Sequence, residues 1–181
     1  MKHRNILKTK KRIVIKIGTN LITHDNGNIN LLRIEKLVRV LADLHNMGKE
    51  VMLVSSGAVG AGMGKLSKEK GPFSVVEKQA LAAIGQAELL RIYQKFFDDY
   101  NQTLGQVLLT RDGIENSVRR NNARNTLLRL LEMNVIPVIN ENDTVSTEEI
   151  EFGDNDMLSA EVANLIQADL LIILTNTNGV Y

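Results

Sequence analysis

Arg12-Ile13-Val14-Ile15-Lys16-Ile17-Gly18-Thr19 and, near the other end of the chain, Leu170-Leu171-Ile172-Ile173-Leu174-Thr175-Asn176 are built alike: a short aliphatic run that stops at polar residues. Near-continuous apolar runs of this length are the mark of strands buried on both faces of a parallel sheet. Three more lie between them: Val51-Met52-Leu53-Val54, Thr103 to Thr110, and Val135-Ile136-Pro137-Val138-Ile139, in which Pro137 withholds one ladder donor. The gaps between the strands carry apolar residues at helical spacing. Leu31, Ile34, Leu37, Val38, Leu41 and Leu44 form one stripe, and Ala80, Leu81, Ile84, Leu89, Ile92, Tyr93 and Phe96 form a second. Asn121 to Met133 and Leu158 to Ala168 supply shorter helices. Strands alternating with helices through right-handed crossovers predict an α/β/α sandwich, a parallel-rich open sheet with helices on both faces.

Composition sets the outer limits. At 181 residues and 44% hydrophobic content the chain can bury one sizeable core. Lys and Arg (22) balance Asp and Glu (21), so the formal charge of +1 gives no reason to expect a nucleic-acid partner or an anionic membrane. Arg119, Arg120, Arg124 and Arg129 share a helix with Leu127, Leu128 and Leu131 and read as its solvated side or a subunit contact. The absence of cysteine excludes disulfides and thiolate chemistry and suits a reducing compartment, and no apolar run reaches membrane-spanning length. Residues 1–11 form a basic arm with no apolar stretch behind it, which implies a solvated terminus and a cytoplasmic chain, with residues 12–181 as one domain.

In open α/β sheets ligands bind beyond the carboxyl ends of the strands. Gly18-Thr19-Asn20, Ser55-Ser56-Gly57, Thr110-Arg111-Asp112, Asn140-Glu141-Asn142-Asp143 and Thr175-Asn176 all fall there. Gly57, Gly60, Gly62 and Gly64 follow a strand and precede a helix, a setting for backbone N–H groups to approach an anion, or for a tight turn that allows close packing. Their spacing matches neither G-x-G-x-x-G nor the P-loop. Lys16 interrupts an apolar strand, where an unpaired ammonium is costly to bury; it is a snorkelling edge residue or a phosphate contact, and its place at the rim favours the second. The clusters Asn140-Glu141-Asn142-Asp143 and Gly153-Asp154-Asn155-Asp156 can hold an ammonium, a carboxylate or an ion-pair network, although each residue alone is also an ordinary turn former or helix cap. The acidic loop from Asp143 to Phe152 reads as a hairpin or flap over the rim. His3, His24 and His45 are scattered, so no protein-held metal is expected.

Taken in order, Ile15-Lys16-Ile17-Gly18-Thr19, Val54-Ser55-Ser56-Gly57-Ala58, Gly85-Gln86, Leu108-Leu109-Thr110-Arg111, Pro137 to Asp143 and Gly153-Asp154-Asn155-Asp156-Met157-Leu158-Ser159-Ala160 resemble the glutamate 5-kinase branch of the amino acid kinase family, from about Arg12 to Tyr181. The resemblance implies transfer of the γ-phosphoryl group of ATP to the side-chain carboxylate of L-glutamate, giving L-glutamyl 5-phosphate, the first step toward proline. It implies that Lys16 contacts the ATP phosphates and that Asp156 orients Lys16. Ser56, Asp143 and Asn155 match glutamate-binding positions, Asn140 adds a hydrogen bond, and Gly57 lines the side where substrate and phosphate meet. Gly18, Thr175 and Asn176 join Lys16 on the nucleotide side, and Mg²⁺ travels with the nucleotide. Where the family carries threonine–aspartate after its fifth strand, this chain has Thr175-Asn176, one negative charge fewer. The family also continues past the position of Tyr181 with a second half of the sheet and a second catalytic lysine, so the fold is expected to be truncated, with an open sheet edge that favours a homo-oligomer. Two alternatives accompany this reading: a catalytically inactive glutamate-binding fragment, and a family member acting on a carbamate, aspartate or nucleotide, which the two aspartate–asparagine clusters disfavour.

Overall fold

Aliphatic runs become the interior of a sheet because a strand flanked by helices on both sides has no solvated face. The computed structural model describes residues 6–24, 28–69, 71–146 and 155–176. In chain order the elements are β1 (Arg12–Ile17), α1 (Thr19–Ile22), α2 (Leu31–Asn46), β2 (Glu50–Ser55), α3 (Ala58–Lys65), α4 (Val75–Asp98), β3 (Leu104–Leu109), α5 (Arg111–Glu115), α6 (Ser117–Glu132), β4 (Ile136–Glu141), α7 (Asp156–Leu165) and β5 (Leu170–Leu174). The five strands pair in the order β3-β4-β2-β1-β5, every pair parallel.

The connections β1–β2 and β2–β3 step toward one edge, while β3–β4 and β4–β5 step toward the other. Right-handed crossovers therefore send the two sets of helices to opposite faces. One core joins Ile13, Ile15, Ile17, Val51 and Leu53 to Ile34, Leu41, Leu89, Tyr93 and Phe97 of α2 and α4. The other joins Val14, Met52, Val54 and Ile139 to Leu127 of α6 and Leu158, Val162 and Leu165 of α7. Chain leaving β2 turns to the first face, whereas chain leaving its neighbour β4 turns to the second. The crevice between these two carboxyl ends is where an α/β sheet opens to a ligand.

Helix termini are fixed locally. Ser74 and Glu77 form a reciprocal capping box at the start of α4, and Asn30 and Asn116 accept backbone N–H bonds at α2 and α6. The basic arm is less loose than its composition suggests: the backbone N–H groups of Lys11 and Arg12 both donate to Asp169 Oδ2 at 2.8 Å, and Lys49 Nζ donates to the Lys8 carbonyl at 2.7 Å.

The glycine-rich stretch differs from the turn expected of it. Gly57 alone makes the turn, at φ +100°, and residues from Ala58 to Lys65 are helical. The reason is α4. A Cβ on Gly62 would lie 2.0 Å from the Leu81 carbonyl oxygen, and one on Gly85 would lie 1.7 Å from that of Ala58. Gly62 and Gly85 let two helix backbones touch, which offsets their poor helix propensity and gives Gly62 a packing role.

Candidate functional site

Lys16 lies on β1, hydrogen-bonded on both sides, opposite Val54 of β2 and Ile173 of β5. It is therefore an interior residue and not a snorkelling edge one. Only 6% of its surface is exposed, and its Nζ sits 2.5 Å from Asp156 Oδ1, the first residue of α7. An aspartate in the first helical turn also meets the positive end of the helix dipole.

A cavity of about 390 Å³ opens above this pair, lined by Lys16, Gly18, Thr19, Asn20, Ser56, Asp156, Thr175 and Asn176 among others. All four residues predicted for the nucleotide side share it. A Cβ on Gly18 would stand 3.6 Å from Lys16 Nζ, so the Gly18 backbone lies directly beside the ammonium group. That cradle fits a phosphate, whose oxygens suit a lysine head and nearby backbone N–H groups. Lys16 is the single cationic side chain among the lining residues. Among the described residues no group of three or more His, Cys, Asp or Glu side chains is arranged to hold a metal ion.

Ser56 forms one wall of the cavity and leads to the crevice between β2 and β4. Asn155 is wholly buried there; its Nδ2 donates to Asn140 Oδ1 at 2.8 Å and to the Ser55 carbonyl at 3.5 Å. Asn140 Nδ2 in turn donates to Gln86 Oε1 of α4 at 2.8 Å. Asp143, two residues past β4, is also buried. Among the described residues Ser56 Oγ, Asp143 Oδ1 and Asn155 Oδ1 are buried polar atoms with no hydrogen-bond partner. Burial, and then the nearby Glu141 carboxylate, push the Asp143 carboxyl up to about 7. A buried acid beside a second acid is a site short of a cation.

The rim does not gather every predicted residue. Thr110 caps α5 by accepting from Gly113 N, and Asp112 pairs with Arg119 at 3.0 Å, so this loop satisfies itself at edge strand β3. Residues 147–154, which hold Gly153, Asp154 and most of the acidic loop, lie outside the described residues. Two contributors carried a weaker sequence signal. Gln86 follows Gly85 on the buried face of α4, a polar residue beside Leu81, Ala82 and Leu89, and Ser55 bonds the buried Tyr93 hydroxyl at 2.8 Å.

Residues 11–181 match the model of the amino acid kinase family. The chain is 56% identical to a glutamate 5-kinase of Clostridium perfringens over 98% of its own length and 68% of that relative's. It is 56% identical to a glutamate 5-kinase of Listeria innocua, covering 98% of the chain and 66% of the relative. A glutamate 5-kinase of Enterococcus faecalis is 53% identical, with 98% and 67% covered. The chain thus spans about two thirds of the length of these relatives.

Proposed function

The chain belongs to the amino acid kinase family, alongside glutamate 5-kinases that share over half of its residues, and from that premise we propose that it forms the glutamate-binding part of an enzyme that uses ATP to phosphorylate the side-chain carboxylate of L-glutamate. The observation that carries this reading is the trio of buried, unpartnered atoms Ser56 Oγ, Asp143 Oδ1 and Asn155 Oδ1 at the crevice between β2 and β4. Two acceptors and a hydroxyl fit an amino acid: the oxygens of Asp143 and Asn155 take its ammonium group, and Ser56 donates to a carboxylate. Asn140 holds Asn155 in place, and Gly57 lets the chain turn tightly beside Ser56.

The cavity over Lys16 is the nucleotide side of the same site. Lys16 contacts the transferred phosphoryl group and offsets the charge that builds on its oxygens, and Asp156 keeps the ammonium head aimed at the cavity. Gly18, Thr175 and Asn176 line the wall against the nucleotide. Mg²⁺ would arrive with the nucleotide phosphates and would supply neutralisation of part of their charge. Ser56 lines the cavity and borders the crevice, so the two substrates would meet beside it, and positioning would supply much of the rate.

A second reading rests on the cavity's charge. Among the described residues Lys16 is the one cation lining it, whereas phosphoryl transfer draws on several, so a glutamate-binding part that needs further cationic groups for turnover is the alternative. We place the protein in the cytoplasm, as a homo-oligomer. The deciding experiment is calorimetric titration with L-glutamate, followed by ATP–Mg²⁺ and a coupled ADP-release assay on the same sample. Saturable glutamate binding supports the reading, turnover separates the complete enzyme from the binding part, and absence of both overturns it.

A further inference from the structure

Three side-chain amides run in line from the first face of the sheet to the crevice. Gln86 Oε1 accepts from Asn140 Nδ2, and Asn140 Oδ1 accepts from Asn155 Nδ2, both at 2.8 Å. The direction of this relay is fixed at its inner end. Asn155 Nδ2 also faces the Ser55 carbonyl, which can only accept. Reversing Asn155 would set oxygen against oxygen, so its Oδ1 is left as the buried, unpartnered atom. Reversing Asn140 would aim its Nδ2 at the Asn155 amino group and its Oδ1 at Gln86 Oε1. Asn140 is thus held the right way round from both ends, by the Asn155 amino group and by the Gln86 acceptor.

Gln86 reaches Asn140 because α4 lies against α3. The Gly85 Cα, one residue away, touches backbone of Ala58 and Gly62 so closely that no Cβ fits. The helix contact and the amide relay are one device, with Gly85 setting the distance at which Gln86 backs the polarity that the Ser55 carbonyl fixes.

We propose that Gln86 is a positioning and specificity-determining residue: by accepting from Asn140 it backs the orientation in which Asn155 presents an oxygen to the substrate, so that the pocket selects ligands bearing an ammonium group. This rests on the reading of the crevice as the glutamate pocket. A polar pocket whose acceptors are fixed in advance rejects an analogue that lacks the matching donor, because its buried acceptors then stay unpaired.

The test compares L-glutamate with glutarate, which has both carboxylates and no amine, by calorimetry on the full chain. In the native chain glutamate binds more tightly than glutarate. Gln86→Met keeps the bulk and removes the acceptor; it weakens glutamate binding about tenfold, the worth of one hydrogen bond to a charged group, and leaves glutarate binding unchanged. Gln86→Glu keeps an acceptor and restores glutamate binding to within about threefold. Gln86→Lys puts a donor against a donor and is an independent second variant that also loses discrimination. A purely structural role for Gln86 would lower both ligands together. Native discrimination that stays undiminished in both Gln86→Met and Gln86→Lys overturns the inference and leaves the glutamate reading standing; a native chain that binds neither ligand overturns both.

Discussion

The carboxyl group of Asp143 offers the sharpest test of the pocket, because its protonation reports directly on whether a cation belongs beside it. In the empty chain burial and the Glu141 carboxylate push it up to about 7. A group with that pKa is protonated in about nine tenths of molecules at pH 6, about half at pH 7 and about a tenth at pH 8. An ammonium group brought against it returns it to the ionised form, so glutamate binding should release about 0.9, 0.5 and 0.1 protons at those three pH values. Glutamate's own groups do not titrate in this range. Calorimetry in buffers of small and large ionisation enthalpy counts the released protons, and carbon NMR of labelled aspartate carboxyls follows the residue in the empty chain. Folding stability should follow the same group. Its folded pKa lies above the unfolded value of 3.8, so its contribution to stability is present below that value and fades as pH rises through about 7. Asp143→Asn should therefore gain stability relative to the native chain between pH 5 and pH 8. The reasoning fails if every aspartate titrates below about pH 5 in the empty chain, or if Asp143→Asn releases as many protons on binding as the native protein.

Lys16→Ala should lower phosphoryl transfer by about 100-fold or more in an assembly that supports turnover. The fold should persist, since Asp156 keeps 42% of its side chain exposed and water can take the place of the ammonium; turnover within a few-fold of native would remove Lys16 from the chemistry. Gly85→Ala forces a Cβ to within 1.7 Å of the Ala58 carbonyl oxygen, and separating α3 from α4 should cost about 3 kcal/mol, a drop in thermal midpoint of about 6–12 °C. Gly71→Ala, with no atom within 4 Å of the new methyl, is the control, and an equal loss in both would mean that helix contact is not the cause. Tyr93→Phe removes the buried bond to Ser55 and should cost about 1 kcal/mol by denaturant unfolding, with glutamate affinity kept.

These effects divide along the line between what one strand of sequence can state and what requires two elements to meet. The strands were legible because burial on both faces leaves a composition that nothing else needs, and their polar ends marked the rim. The oddity of Lys16 was legible for the same reason: a cation in such a run is either a snorkelling edge residue or a group paired at the rim, and the sheet order makes it interior. Where the reading failed, a second partner was missing from it. The stretch from Gly57 to Gly64 is unpromising as a helix until Leu81 and Gly85 of α4 are set against it. Thr110 and Asp112 have the composition of a binding loop, yet they follow an edge strand, where Thr110 caps α5 and Asp112 pairs with Arg119. The raised carboxyl of Asp143 depends on how deeply the β4 exit is buried, and the Gln86 relay joins positions 54 and 15 residues apart through a third amide. Both are many-body properties. The local pattern can say that acceptors gather at the β4 exit; which atom each one presents is decided by neighbours brought in from another layer, and it is on those neighbours that the proposed discrimination between an amino acid and a plain dicarboxylate rests.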